Sequence, residues 1–510
     1  MMLGMFAAAA GFRGVAPVVE IVPEQQQYSV AATKTTFDIQ PTDGRAHLVD
    51  NAFSSLAGLV PQQQSGTTTL VPGGVQISGT INQYTQGPVP EAPLQFISID
   101  VNEISTVTSG YNAPVVGWVI DNTNHVLAAW NRDNGLLQLF IKKNDVNTFV
   151  GSVNLTTVVG SRSSVRIGIG MNSDSVSVYY DIGAGWVVAV SAYGILSRFN
   201  IQSPAVLATM KPCFGVRSTP VSTWSFSRFT VGALGTCGMR DIRPVTHPDG
   251  SPVVRGNKLV FSAHTFDVTS NGFLSIWELD LVTYAATQIS SFQGTRGGVF
   301  ERDVAAHVVM NSEDSFDIYA GTWGERARPG GTITSIWYST SKRILDGGIH
   351  NIGTAVPMVL PGMLTSEYGA YDTHIVFDGS RYLCAYTITE RHDFSGSPFY
   401  SAVAESVDRV TWTLVWSDPT RQRYEGNSAL KAGGAWWYLS GGETSMNIHD
   451  AAGNYIGKLD GAHDGRPTTQ PWPSVVPVGD VYIMLSFDGV VKPPSSRWGN
   501  LVVKTAPRFA

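Results

Sequence analysis

Four acidic residues stand at the heads of apolar runs in the second half of this chain: Asp241, Asp303, Asp372 and Glu425. Each run leads to a tight turn and a second run. Two carboxyl groups in one site, one protonated and one ionised, can protonate a leaving oxygen while activating water. A third acid nearby raises the pKa of the proton donor by like-charge repulsion. Glu425 is the one Glu among these heads, and Asp372 precedes it by one repeat. Trp436-Trp437-Tyr438 follows Glu425 and lowers the local polarity, which favours its protonated form. This is chemistry suited to an acetal C–O bond, with the two working carboxyls roughly 6.5–9.5 Å apart when water attacks directly.

The elements that must position these acids read as hairpins. Tyr371-Asp372-Thr373-His374-Ile375-Val376-Phe377 runs into Asp378-Gly379-Ser380 and returns through Arg381 to Tyr386. Tyr424-Glu425-Gly426-Asn427-Ser428 runs on to Gly433-Gly434 and returns through Trp436-Trp437-Tyr438. Apolar runs bounded by Asp-Gly or Gly-Gly are hairpin signals. Weaker copies start at Arg240-Asp241-Ile242, at Arg302-Asp303-Val304 and at Gly465-Arg466-Pro467. The intervals suit four-stranded blades of about 40–50 residues plus loops. A five-bladed β-propeller is expected over residues 236–510.

On these phrases, residues 236–510 resemble the five-bladed propeller glycosidases of the arabinanase and β-xylosidase family. The resemblance implies that Asp241 is a general base, that Asp372 tunes the acid's pKa and that Glu425 is the general acid of an inverting, two-carboxylate hydrolase. Asp303 is the alternative base if the blade order is shifted by one. The chain departs from the family where it has Ile242, Thr373 and Asn427 in place of proline. Trp323, in Gly321-Thr322-Trp323-Gly324, is a candidate sugar-stacking residue. His463 and Arg466, at the head of the fifth repeat, are candidates for an axial water or cation and for a substrate hydroxyl or carboxylate.

Composition supports an all-β chain and excludes several classes. Charged residues make up 15% and hydrophobic ones 43%, with abundant Gly, which suits large sheets. A net charge of −6 without a basic run argues against nucleic acid as a partner. No apolar stretch reaches the roughly 18 residues of a membrane helix. Three cysteines exclude a disulfide scaffold, although Cys213 and Cys237 are a candidate pair and Cys384 reads as a buried thiol. His-Glu-x-x-His, Gly-x-Ser-x-Gly and phosphate-loop motifs are all missing.

Residues 91–235 carry closely spaced strand signals, among them Leu94–Val101, Leu136–Ile141 and Ser175–Asp181, and read as a β-sandwich. The layout resembles concanavalin-like and laminin-G sandwiches. No cofactor is expected, with Asp121, Asn122 and Asn124 as a candidate calcium set beside the alternative of an Asx turn. Residues 1–90, with Gln25-Gln26-Gln27 and Gln62-Gln63-Gln64, read as a virion-anchoring or oligomerising adaptor. The order adaptor, sandwich, propeller resembles minor tail proteins of actinobacteriophages. That resemblance implies a virion location, other tail proteins and a host-surface glycan as partners, and a homo-oligomer, with a trimer as the expected symmetry. The alternative is a secreted glycoside hydrolase acting on arabinose- or xylose-containing polymers, with the sandwich binding carbohydrate.

Overall fold

The computed structural model describes residues 19–34, 47–104, 110–159, 164–235, 238–267, 272–301, 303–322, 335–362, 369–390, 398–442, 445–460, 472–487 and 499–509. Among them strands predominate, and helix is confined to short turns such as Thr156–Val159 and Pro204–Leu207. All-β architecture is as the sequence implies, and the second half has a propeller-like arrangement.

Five sheets make up that half. Their first strands are Gly238–Pro244, Asp303–Ser312, Gly369–Phe377, Glu425–Ala432 and Ser474–Val478, and each pairs antiparallel with the strand that follows it in its sheet. These first strands touch one another in sequence, and the fifth returns to the first, so they line a common axis. Two sets of contacts close the circle. The first is apolar: one buried cluster fills each junction between neighbouring sheets. Val260 and Ile276 meet Val308 and Ile318 between the first two, while Trp277 and Phe261 meet Trp472 and Leu485 between the last and the first. The second is polar and nearer the axis. The Ser262 hydroxyl donates to the Ala306 carbonyl, the Ile375 N–H to His307 Nδ1 and the Ala429 N–H to His374 Nδ1. Ser428 then donates to the Pro473 carbonyl and Ser474 to the Ile242 carbonyl. Backbone groups that a strand at the axis cannot pair on both sides are thereby satisfied.

The first half forms a thirteen-stranded sheet around Lys211–Ala233, a 23-residue strand. Its start pairs with Tyr111–Asp121 and its end with Leu94–Ile104, while Gly74–Thr85 pairs along it with a register shift between Arg217 and Ser222. Alternate residues of both neighbour sets, such as Ile97, Ile99 and Val101 on one and Val116, Trp118 and Leu139 on the other, share one buried core. Phe273, Phe300 and Ile349 of the propeller-like half join that core.

Three expectations are corrected here. Residues 1–90 do not stand apart in their described portion. Ser29–Lys34 pairs with Leu501–Pro507 as the outer strand of the fifth sheet, and strands between His47 and Thr85 pair with Lys211–Ala233 or with each other. A terminal sheet with three strands would leave an unpaired edge, and the N-terminal segment supplies the fourth. The boundary at residue 91 therefore falls inside the first half rather than at its start. The candidate disulfide is not seen at Cys213, which is a free buried thiol, its pKa pushed up to about 12 by burial. Cys237 lies outside the described residues.

Candidate active site

The first strand of four sheets carries the same irregularity. Pairing with the second strand slips between Arg240 and Arg243, Val304 and His307, Tyr371 and His374, and Glu425 and Ser428. Within each slip one residue has positive φ: Asp241 at 51°, Ala305 at 50°, Asp372 at 58° and Gly426 at 68°. This is a β-bulge, which re-aims a side chain at the cost of one ladder position. Asp tolerates the left-handed region better than most residues, so two of the four bulges can carry a carboxylate there. Gly426 is required twice over, by its φ and because a Cβ would lie 2.7 Å from the Trp472 ring. With glycine in the bulge, the fourth sheet presents its acid one residue earlier, as Glu425.

These bulges bring three acids together. Gly426 N–H donates to Asp372 Oδ2 at 3.0 Å, and Tyr371 Oη donates to Glu425 Oε2 at 3.1 Å. Arg243 is fully buried and donates to two main-chain carbonyls, Asn427 O at 2.8 Å and Asp372 O at 3.0 Å, tying the first sheet to the third and fourth. Asp241 Oδ2 lies 3.0 Å from Arg240 Nε and 3.4 Å from His264 Nδ1.

The three carboxyls are in different electrostatic states. Burial pushes the Asp241 pKa up, but Arg240, His264 and Arg243 outweigh it and hold the group below the usual carboxylate range. Asp372 is raised well above that range by burial and then by the charges of Glu425 and Asp241, against the pull of Arg243. Glu425 is raised to about 7, first by burial and then by Asp241, against Arg240 and the Tyr371 hydrogen bond. Near neutral pH the cluster thus offers an ionised Asp241 together with protons on its partners. The protonation of Asp372 and that of Glu425 are thus linked, the Glu425 charge helping to raise Asp372. His307 and His374 are held well below 6.5, mainly by burial, and stay neutral, so their Nδ1 atoms can accept the main-chain bonds described above.

Among the expected site residues, Asp241, Asp372 and Glu425 converge. Asp303 does not take the equivalent position: it pairs with Thr322 two residues ahead of the bulge, which carries Ala305 instead. Trp323, His463 and Arg466 lie outside the described residues. Asp121 accepts hydrogen bonds from the Thr123 N–H and hydroxyl and from the Asn124 amide, which makes it the cap of its own turn. Among the described residues no group of three or more His, Cys, Asp or Glu side chains is arranged to hold a metal ion.

Solved structures similar to this chain are glycan-handling proteins. An α-L-arabinanase from Penicillium chrysogenum, complexed with arabinobiose, matches 68% of this chain and 90% of its own, at 9% identity and a TM-score of 0.35. The catalytic domain of a GH62 α-L-arabinofuranosidase from Coprinopsis cinerea matches 54% and 92%, at 12% identity and a TM-score of 0.34. The carbohydrate-binding module CBM66 from Bacillus subtilis matches 34% and 96%, at 14% identity and a TM-score of 0.26. No family model matches the chain, and no curated protein sequence does. At these scores the chemistry has to be argued from the site itself.

Sequence reasoning missed Arg243, His264 and His307, and it quoted Arg240, Tyr371 and His374 without giving them a role. One signal was available. Two residues beyond each bulge stand Arg243, His307, His374 and Ser428, and every one reaches the main chain of another sheet. A polar residue recurring two to four places after each acidic head marks an axial position.

Proposed function

We propose that this chain is a glycoside hydrolase whose five sheets are the blades of a five-bladed propeller, joined to a two-layer, lectin-like sandwich. Asp241 is the general base, Glu425 the general acid, and Asp372 sets the protonation of the pair. The observation that carries this reading is the pairing of opposite tendencies in one cluster: an Asp held ionised by Arg240 and His264, and a Glu raised to about 7. Titratable neighbours pushed apart in this way divide the acid and base roles between them.

In the proposed reaction water attacks the anomeric carbon and gives its proton to Asp241, while Glu425 protonates the departing glycosidic oxygen. The anomeric C–O bond to the leaving group breaks as the new one forms, so the configuration inverts. Tyr371 steadies the Glu425 carboxylate that the step leaves behind. Arabinose- or xylose-containing polymers are the proposed substrates. The virion reading drew in part on residues 1–90 as an adaptor. Ser29–Lys34 in the fifth sheet and further strands in the first half weaken that part, and the hydrolase is the reading put first.

The test is reducing-end release from arabinan and xylan by the full chain, beside Glu425→Gln and Asp241→Asn. Release by the wild type that both variants lose supports the assignment. An inert wild type, or release that persists in both variants, overturns it.

A further inference from the structure

A cavity of about 340 Å³ opens on the outer face of the sheet in the first half. Along Lys211–Ala233, Phe214 and Val216 enter the core, so Cys213, Gly215 and Arg217 face the opposite side. There Tyr111, Phe140, Phe149 and Arg217 stand around a floor that includes Val115 and Leu127.

Arg217 is the unusual member. Its Nη1 lies 3.3 Å from His125 Nε2, and its Nε is enclosed with no hydrogen-bond partner. No carboxylate pairs with it among the described residues. Tyr111 and Cys213, its titratable neighbours, are both raised to about 12, chiefly by burial, and are neutral. His125 is lowered to about 3 by burial, Arg217 and Lys142, and is neutral too. Asp121, the acid that acts on His125, is already engaged with its own turn. A guanidinium drawn out of water without a counter-ion is costly, and a partner arriving from outside repays that cost. Beside it, Phe149 is 53% exposed and packs against Phe140 at 5.9 Å, leaving an aromatic face open to solvent.

We propose that this groove binds an acidic sugar of a polysaccharide, with a uronate carboxylate against the guanidinium of Arg217 and the sugar's C–H face on Phe149. A charge-assisted guanidinium–carboxylate contact is one that neutral pentoses cannot reproduce. The site is separate from the Asp241, Asp372 and Glu425 cluster and does not depend on that cluster being catalytic.

The experiment is calorimetric titration of the full chain with oligogalacturonate, against neutral arabino- and xylo-oligosaccharides. The acidic oligomer is expected to bind more tightly than either neutral one. Arg217→Met should weaken it about 30-fold or more, the usual minimum for truncating one partner of a desolvated charge pair. Phe149→Ala, at an exposed position that leaves folding intact, should weaken it about fivefold to tenfold, in line with loss of one aromatic contact. Glu425→Gln should bind as the wild type does, which separates this site from the proposed catalytic one. Equal binding of neutral and acidic oligomers, no binding of oligogalacturonate, or unchanged affinity in both the Arg217 and Phe149 variants would overturn the proposal.

Discussion

The two halves of the molecule bury their interiors in opposite ways. The first half closes one continuous apolar core, in which Ile99, Trp118, Leu139 and Phe229 are fully buried. The propeller-like half divides its apolar packing among the junctions between sheets and leaves its axis to Asp241, Arg243, His307, Asp372 and His374, all buried and all polar. At the axis, side chains from several sheets converge on one another. The convergence concentrates charge and shifts pKa values. A flat, dry core has no equivalent place, and so chemistry is favoured in one half and stability in the other.

The sharpest way to break this contrast is to remove the proposed general acid. Glu425→Gln is expected to lower hydrolysis by roughly 10²–10⁴-fold, as loss of a general acid does, with the unfolding transition nearly unchanged. A core truncation should do the reverse. Ile99→Ala is expected to cost about 2–5 kcal/mol in urea unfolding while leaving the turnover of the folded fraction intact. Arg243→Met lies between the two. It orphans two buried carbonyls and removes a charge that holds Asp241 down, so about 3 kcal/mol of stability and most activity should go together. Equal effects of Ile99→Ala and Arg243→Met on turnover would show that the division between halves is wrong.

The pH dependence sharpens the same point. Activity should fall as pH rises through about 7, where Glu425 loses its proton, and fall again in acid once Asp241 is protonated below the usual carboxylate range. Tyr371→Phe removes a donor that favours the charged Glu425, so the alkaline limb of the pH–rate profile should move upward. Because Glu425 binds its proton more tightly folded than unfolded, its contribution to stability is present below the unfolded value of 4.5 and lost as pH rises through about 7. Glu425→Gln should flatten that slope in unfolding measured across the window. The smallest effect is expected at the polar ring. Ser474→Ala deletes the link from the fifth sheet to Ile242 and should cost about 1 kcal/mol, read as a small shift in the denaturant midpoint.

Much of this molecule was legible in its sequence because strand and turn signals are local. Period-two alternation and Asp-Gly or Gly-Gly turns located Ser175–Asp181 and the hairpins at Asp372 and Glu425. An acid at the head of an apolar run could be read the same way, since a head is defined by its immediate neighbours. Asp303 shows the limit. It has the right neighbours but stands two places from the bulge, and a bulge depends on how the next strand pairs.

What only the tertiary structure decided involves partners far apart in the chain. Nothing near Ser29 indicates that it closes a sheet with Leu501–Pro507, because an edge strand's partner is set by which edge lies open when the ring forms. Nothing near Arg243 indicates that it reaches the carbonyls of Asp372 and Asn427, nor near Arg217 that it faces an aromatic groove without a carboxylate. Residue types and local spacing set which groups could do chemistry. Burial and the charges of neighbouring sheets set which of them hold a proton, because both depend on what else the fold brings within a few ångströms.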